Sequence, residues 1–308
     1  MAVAQRLLGR TGIHLPALGF GAAPLGQKFY KLTGDPKETV DAALKCGVNY
    51  FDTSPYYGAS EETLGKALQG HARDSFIVST KLGRIGQDKF DFSPSWVEKS
   101  VENSLKLLGL SYIDILFLHD VEFLPDTRPI NEESLPALQR LQKRGLVKAI
   151  GFSCYPLETV RKVLAGPNAD LVDVVLTYAH NNLLDDSLQT LHAELEQKGV
   201  GLIDASPLAL GLLRDEPPPD WHKSPQDLRK ECQTIASELS AQGLSLQAVA
   251  LKHAMQTTPG ASLLIGMASP DQVRQNVEVL QQAKSKQYSE IAEQVKARLA
   301  PWKGVDLS

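Results

Sequence analysis

A carboxylate, a phenol, an ammonium and an imidazole stand where apolar runs of this chain give out. Asp52 and Tyr57 close the segment VNYFDTSPYYG, Lys81 lies near the end of FIVSTKL, and His119 ends YIDILFLH. A tyrosine with its ordinary pKa of about 10 passes protons poorly at neutral pH. A nearby ammonium favours the phenolate and is expected to lower that value. A lysine so placed needs a counter-charge, which a carboxylate on a neighbouring strand supplies. A histidine orients a carbonyl or hydroxyl by hydrogen bonding. Together these four groups make a proton relay for interconverting an alcohol and a carbonyl. The relay carries no hydride, so it calls for a nicotinamide cofactor.

Such a set works only if the fold brings four distant segments to one place. Eight short apolar runs recur: residues 16–21, 48–54, 76–82, 112–119, 147–153, 172–179, 200–206 and 262–267. Each has the length and the Val, Ile and Leu content of a buried strand. Amphipathic helical patterns lie between them. One runs from the cap Asp35 through Pro36 to the stop at Gly47, another from Ser93 to Gly109, and the stretch from Asn49 to Gly65 ends as a helix start. Others fall near 133–145, 156–165, 186–199, 245–256 and 269–283. Strict strand–helix alternation predicts an α/β (β/α)8 barrel and argues against a sandwich. A doubly wound sheet would want a Gly-rich fingerprint opening a helix, and GFGAAPLG has no helix start directly behind it. The opening AQRLLGRTGIHLPALG, with its Thr11-Gly12 turn, predicts an N-terminal hairpin closing the barrel bottom. Beyond the eight units, extra C-terminal helices are expected near 226–242 and from Lys286 to Leu299, the first preceded by a Pro-rich loop (212–230). No linker or composition shift divides the chain, so residues 1–308 read as one domain. Reactive groups in this fold sit at the C-terminal ends of strands, where Asp52, Lys81, His119 and Ser153 all fall.

Composition narrows the function further. The chain has 308 residues, 43% apolar and 22% charged, with a net charge of -4. That balance gives no electrostatic case for nucleic acid or an anionic membrane as partner. Three cysteines, Cys46, Cys154 and Cys232, have no metal-ligand spacing and fit a reducing compartment. No run reaches the roughly 18 apolar residues of a membrane span, and the N-terminus lacks the apolar core of a signal peptide. A cytoplasmic protein is expected, monomeric or weakly self-associating, with a small-molecule substrate.

The ordered blocks FDTSPYYG-SEETLG, STK, FLHD, GFS, SPLALGLL and LIGMASPDQVRQNV resemble the aldo-keto reductase superfamily over nearly the whole chain. The resemblance implies that Asp52, Tyr57, Lys81 and His119 are a catalytic tetrad, with Tyr57 the general acid/base. It implies cofactor contacts from Ser153 and Tyr178 at the nicotinamide. Ser206, Leu208 and Gly211 would cover the pyrophosphate, and Gly266, Met267, Ser269, Gln272 and Asn276 would hold the adenosine end. The chain departs from the family pattern at Cys154, Tyr178 and Ala205, which stand where Asn, Gln and a stacking Tyr are common. Gly266 and Gln272 occupy places where many members carry a Lys and an Arg for a 2′-phosphate, which points to NAD rather than NADP; Arg274 lies nearby. Within the superfamily the FDTSPYYG, HDVEF and SPLALGLL…PPPDWH blocks are most similar to L-galactose dehydrogenases. NAD-linked D-arabinose dehydrogenases and bacterial aldose dehydrogenases are near relatives. This implies oxidation of the C1 hydroxyl of an aldose to a lactone, with L-galactose, a precursor of ascorbate, as the expected sugar. Asp120, Glu122, His180 and Trp221, with Tyr57 and His119, are the expected substrate contacts, in loops without the thick aromatic lining of a steroid or aryl site.

Each residue alone has an ordinary reading: Lys81 a solvated strand end, His119 a satisfied structural histidine, Asp52 and Tyr57 a turn. Four in order at successive strand ends do not. His14, His71, His192, His222 and His253 read as surface or packing residues. The alternatives are a D-arabinose or L-fucose dehydrogenase, an NADPH-dependent reductase of small aldehydes, and a cofactor-binding assembly protein like the β subunits of potassium channels. A metal-dependent hydrolase has only His119 and Asp120 close together to support it.

Overall fold

Successive side chains of a strand point to opposite faces, so a strand in a closed barrel sends every second residue inward. The computed structural model describes residues 3–281 and 286–307. Its first two strands, β1 (Gln5–Leu7) and β2 (His14–Pro16), form an antiparallel hairpin. Eight more close into a parallel barrel in chain order: β3 (Leu18–Gly21), β4 (Tyr50–Asp52), β5 (Ile77–Leu82), β6 (Ile113–His119), β7 (Val147–Ser153), β8 (Val174–Tyr178), β9 (Gly201–Ala205) and β10 (Ser262–Gly266), with β10 pairing back onto β3. All eight expected strands form, trimmed by one or two residues at most ends.

Helices alternate with them: α1 (Pro36–Lys45), α2 (Ser60–Leu68), α3 (Pro94–Leu108), α4 (Leu135–Lys143), α5 (Leu157–Ala165) and α6 (Leu188–Gln197). α7 (Gln226–Ser240) and α8 (Leu246–Thr257) both fall between β9 and β10, and α9 (Pro270–Gln281) and α10 (Lys286–Leu299) follow β10. The last residues of the helix expected over 269–283 lie outside the described residues. The caps are those the sequence offers. Asp35 accepts the Glu38 N–H at 2.9 Å, with Pro36 in the first turn, and Ser93 caps α3, which stops at the left-handed Gly109.

The inward set of the strands fills the barrel. Tyr50, Ile115, Phe117, Val174, Leu176, Ile203 and Leu264 pack together with Leu8 and Leu15 of the hairpin. Gly9, at +49° in φ, lies so close to Gly199 and Gly201 that a Cβ there would meet backbone, so the hairpin plugs the end where β9 begins. Further along the same inward faces come Asp52, Lys81, His119 and Ser153. The apolar layers thus end in a polar layer at the opposite mouth. Register aligns that layer: Asp52 lies opposite Ser79, His119 opposite Ser153, and Tyr178 opposite Ala205. Five non-glycine residues that follow strands at this mouth have left-handed backbone: Asp120, Ala179, Ser206, Ala209 and Leu210. Strain of this kind concentrates where loops are held to a functional shape.

Candidate active site

Lys81 is the hub of the polar layer. It is 2% exposed, and its ammonium has three N–H donors. One pairs with Asp52, one reaches the Thr53 carbonyl at 2.9 Å, and the Tyr57 hydroxyl takes a hydrogen bond from the same side chain. Asp52 is fixed from behind: Ser79 Oγ donates to its other oxygen at 2.6 Å, and Ser79 is in turn paired with the Tyr50 hydroxyl at 2.9 Å. Burial acts to lower the Lys81 pKa, but the charges of Asp52 and Tyr57 outweigh it and hold the ammonium above its ordinary value. The lysine is a fixed positive charge against the phenol.

Tyr57 reaches this charge because β4 gives way to a single helical turn, Pro55–Tyr57, capped by the Ser54 hydroxyl and ended by Gly58 at +70° in φ. The expected lowering of its pKa is not what the structure gives. Burial, then Asp52 and Asp120, raise the phenol above 10, and Lys81 offsets only part of this. Strand-end spacing reveals the ammonium beside Tyr57 but not the depth at which both are held. The resting phenol is protonated, a proton donor to a carbonyl oxygen.

His119 is held below Tyr56 and Tyr57, whose rings stand edge-on to it at 6.0 and 5.8 Å. Burial, helped by the cations Lys81, Arg84 and Lys28 against the opposing Asp120, pushes its pKa down to about 3. It is a neutral imidazole at any physiological pH, able to donate or accept a hydrogen bond but not to serve as the proton reservoir. Asp120 carries an ion pair from Arg84, and the Arg84 guanidinium lies 4.0 Å from the Tyr56 ring centre.

These groups open into a cavity of about 980 Å³. Of the residues expected from the sequence, Asp52, Tyr57, Lys81, His119, Asp120, Ser153, Tyr178, Ser206, Leu208, Gly211, Trp221, Gly266, Gln272 and Asn276 all line it. Four others do not. Glu122 turns away to accept the Tyr155 N–H at 2.9 Å, and burial together with Asp120 pushes its carboxyl up to about 7. His180 is pinned between Asp185 at 2.7 Å and the Tyr155 carbonyl at 2.6 Å. Met267 is buried in the core, and Ser269 caps α9 by accepting the Gln272 N–H at 3.3 Å. Their places in sequence are at the mouth, but their side chains serve the loops, the core and the α9 cap.

The structure also gathers residues that periodicity could not pick out. Phe29 and Tyr30 from the loop after β3, Tyr56 and Tyr57, and Trp221 from the Pro-rich loop pack on one another across one wall. The sparse aromatic lining expected from the sequence is therefore corrected: the rings come from three separate loops and meet only when the barrel closes. Ser79, Ser54 and Arg84 likewise show their roles only through their partners. Leu307, near the chain's end, lines the cavity and donates its N–H to the Tyr155 hydroxyl at 3.4 Å.

The lining of the cavity suits a nicotinamide dinucleotide. Gly266 leaves the rim open, with only Pro24 within reach of an added Cβ, at 3.4 Å. The hydroxyl of Ser153 and the amides of Gln272, Gln275 and Asn276 supply neutral hydrogen-bonding groups, and Lys31, Arg214 and Lys223 supply positive charge. No group of three or more His, Cys, Asp or Glu side chains is arranged to hold a metal among the described residues.

Residues 17–296 match the aldo/keto reductase family. The chain belongs to that family. It is 40% identical to an L-galactose dehydrogenase of Arabidopsis thaliana over 285 residues, 91% of this chain and 89% of that one. It is 30% identical to a D-threo-aldose 1-dehydrogenase of a Pseudomonas species over 310 residues, 90% of this chain and 93% of the relative. The structure of an aldo-keto reductase from Bacillus halodurans in its holo form overlays with a TM-score of 0.77 at 24% identity, covering 99% of this chain and 98% of that one. As an aldo-keto reductase the protein is an oxidoreductase acting on CH–OH or carbonyl groups with a nicotinamide cofactor.

Proposed function

We propose that this aldo-keto reductase, as a single barrel domain, oxidises the C1 hydroxyl of a cyclic aldose to a lactone with NAD. L-galactose is the best-supported sugar, which would place the reaction in ascorbate biosynthesis. The observation that carries the reading is the saturated Lys81 ammonium, held by Asp52 and Thr53 with its remaining donor on Tyr57. Tyr57 takes the C1 hydroxyl proton, and Lys81 stabilises the phenolate as it forms. His119 holds the reacting oxygen. Nicotinamide, when bound, is the acceptor of the C1 hydride. Ser153 and Tyr178 line its place, and the turn through Ser206, Leu208 and Gly211 would hold the pyrophosphate. Asp120, paired with Arg84, offers hydrogen bonds to sugar hydroxyls, and the Trp221 wall offers an apolar face to the ring's C–H groups.

Three features support NAD. Gly266 brings no cation to the adenosine end. Gln272, whose amide oxygen accepts the Ala268 N–H at 2.8 Å, brings no charge. Arg274 is exposed, pairs with Asp271 at 2.5 Å and does not line the cavity. Lys252 does line it, but its ammonium sits over the Tyr288 ring, 2.9 Å from the centre. The L-galactose dehydrogenase and aldose dehydrogenase relatives support the sugar. No helix among the described residues is long and apolar enough to cross a membrane, and all three cysteines are free, which supports the cytoplasm. Self-association would be weak or absent.

The test is reduced-cofactor formation from L-galactose, L-fucose, D-arabinose and D-glucose with NAD and with NADP. The reading expects the strongest turnover with L-galactose and NAD. Turnover only with D-arabinose or L-fucose would keep the chemistry and change the sugar. Reduction of small aldehydes by NADPH with no sugar oxidation would overturn the substrate class and the cofactor together.

A further inference from the structure

Ser54 joins two members of the tetrad. It is fully buried, immediately before the turn that presents Tyr57. Its hydroxyl oxygen accepts the Tyr56 backbone N–H at 3.1 Å and lies 3.1 Å from Nδ1 of His119. The other ring nitrogen, Nε2, lies 3.5 Å from Asp120 Oδ2, and both residues line the cavity.

Two constraints fix where the imidazole proton sits. A buried hydroxyl has one hydrogen to place. Among the described residues, the acceptor within reach of Ser54 Oγ is His119 Nδ1, so that nitrogen must carry a lone pair or the hydroxyl hydrogen is stranded. On the other side, an unprotonated Nε2 would set its lone pair against the Asp120 carboxylate. A protonated Nε2 is instead attracted to it. Both constraints select one neutral tautomer, with Nδ1 accepting and Nε2 carrying the hydrogen.

We propose that Ser54 is a positioning residue that, by donating to Nδ1, holds His119 as the Nε2–H tautomer and aims that N–H into the cavity. His119 then acts on a reacting oxygen only as a donor. In oxidation it steadies the oxygen that is losing its proton to Tyr57; in reduction it polarises the carbonyl. The same hydroxyl caps the Tyr57 turn, so one side chain sets the spacing between proton carrier and oxygen holder. Of the proposed function this uses only the assignment of His119 to the reacting oxygen.

The direct test is the nitrogen NMR spectrum of His119 in the full protein, with His119→Gln used to assign it. The shifts should show a neutral ring with Nε2 protonated and no titration from about pH 6 to 9. A neutral Nδ1–H ring, or a ring that titrates in that range, would overturn the proposal. Kinetics supply the second test. Ser54→Ala should lower kcat by about tenfold to a hundredfold, the range found for hydrogen-bond partners that orient metal-bound imidazoles. Cofactor affinity should stay unchanged, and Ser54→Thr, which keeps the hydroxyl, should recover most of the loss. Ser54→Ala that folds with unchanged kcat and an unchanged His119 spectrum would overturn it. The spectrum needs no substrate, so a failed sugar assignment and a failed Ser54 assignment are separable, and any aldehyde or alcohol the enzyme turns over serves for kcat.

Discussion

Tyr57 and Lys81 divide the work that a free tyrosine cannot do. The phenol supplies a proton the lysine cannot give up, since Lys81 is locked as an ammonium by Asp52. Tyr57→Phe should therefore cost roughly 10²–10⁴-fold in kcat, the range for a general acid/base, with cofactor binding kept; cofactor titration beside steady-state rates checks both halves. The raised Tyr57 pKa sets the sign of the pH dependence. Its proton must leave before oxidation can proceed, so oxidation should accelerate as pH rises through the neutral and mildly alkaline range, while reduction, which uses the protonated phenol, should not. A flat oxidation profile would contradict a phenolate base. At this scale the sequence was informative about identity and silent about environment. Asp52, Tyr57, Lys81 and His119 could be read from strand ends, but the burial that lifts Tyr57 and drops His119 to about pH 3 depends on loops that no local pattern describes.

The strands are the precise elements and the loops the adaptable ones. Period-two alternation puts apolar Tyr50, Phe117 and Ile203 and polar Asp52 and His119 on the same inward faces, which is why strand ends could be read as a site. The loops obey no period. Glu122 and His180 follow strand ends in sequence, yet their side chains bind Tyr155 backbone and Asp185. Phe29 and Trp221, far apart in the chain, share a wall at 6.3 Å. The hairpin is separable from the chemistry in the same way. Leu15 is fully buried at the closed end of the barrel, so Leu15→Ala should cost about 2–5 kcal/mol of stability with kcat nearly unchanged at low temperature. Chemical denaturation beside an activity assay tests this, and a large loss of kcat in folded variant would tie the hairpin to the site.

Across the whole molecule, barrel closure puts ionisable groups where water does not reach. Asp204 on β9 is fully buried, bound by Asn181 at 2.7 Å, and burial pushes its pKa up to about 7. An unfolded aspartate titrates near about 3.9. The folded state thus holds a proton that the unfolded state has lost between those values. The resulting stability is fully present below about pH 4 and is lost as pH rises through about 7. Asp204→Asn should remove this term, so its denaturation midpoint should gain on wild type as pH rises from about 4 to about 7, where folded Asp204 keeps a proton the unfolded chain has lost, and should level off above that. A difference independent of pH would show that Asp204 does not titrate in that window. The eightfold alternation that builds the barrel was legible in the chain because it is made of repeated local patterns. Which buried acid pays the cost of closure was not, because it depends on contacts between β9 and residues more than twenty positions away.

The central claim is that Tyr57 of the tetrad takes the C1 hydroxyl proton of an aldose while the C1 hydride passes to NAD. The measurement that meets it most directly uses L-galactose deuterated at C1, with mass analysis of both products. The label should appear in NADH and be absent from the sugar product, which should be the lactone, and Tyr57→Phe should slow its appearance. NADH formed without label, or a labelled sugar product, would contradict the account.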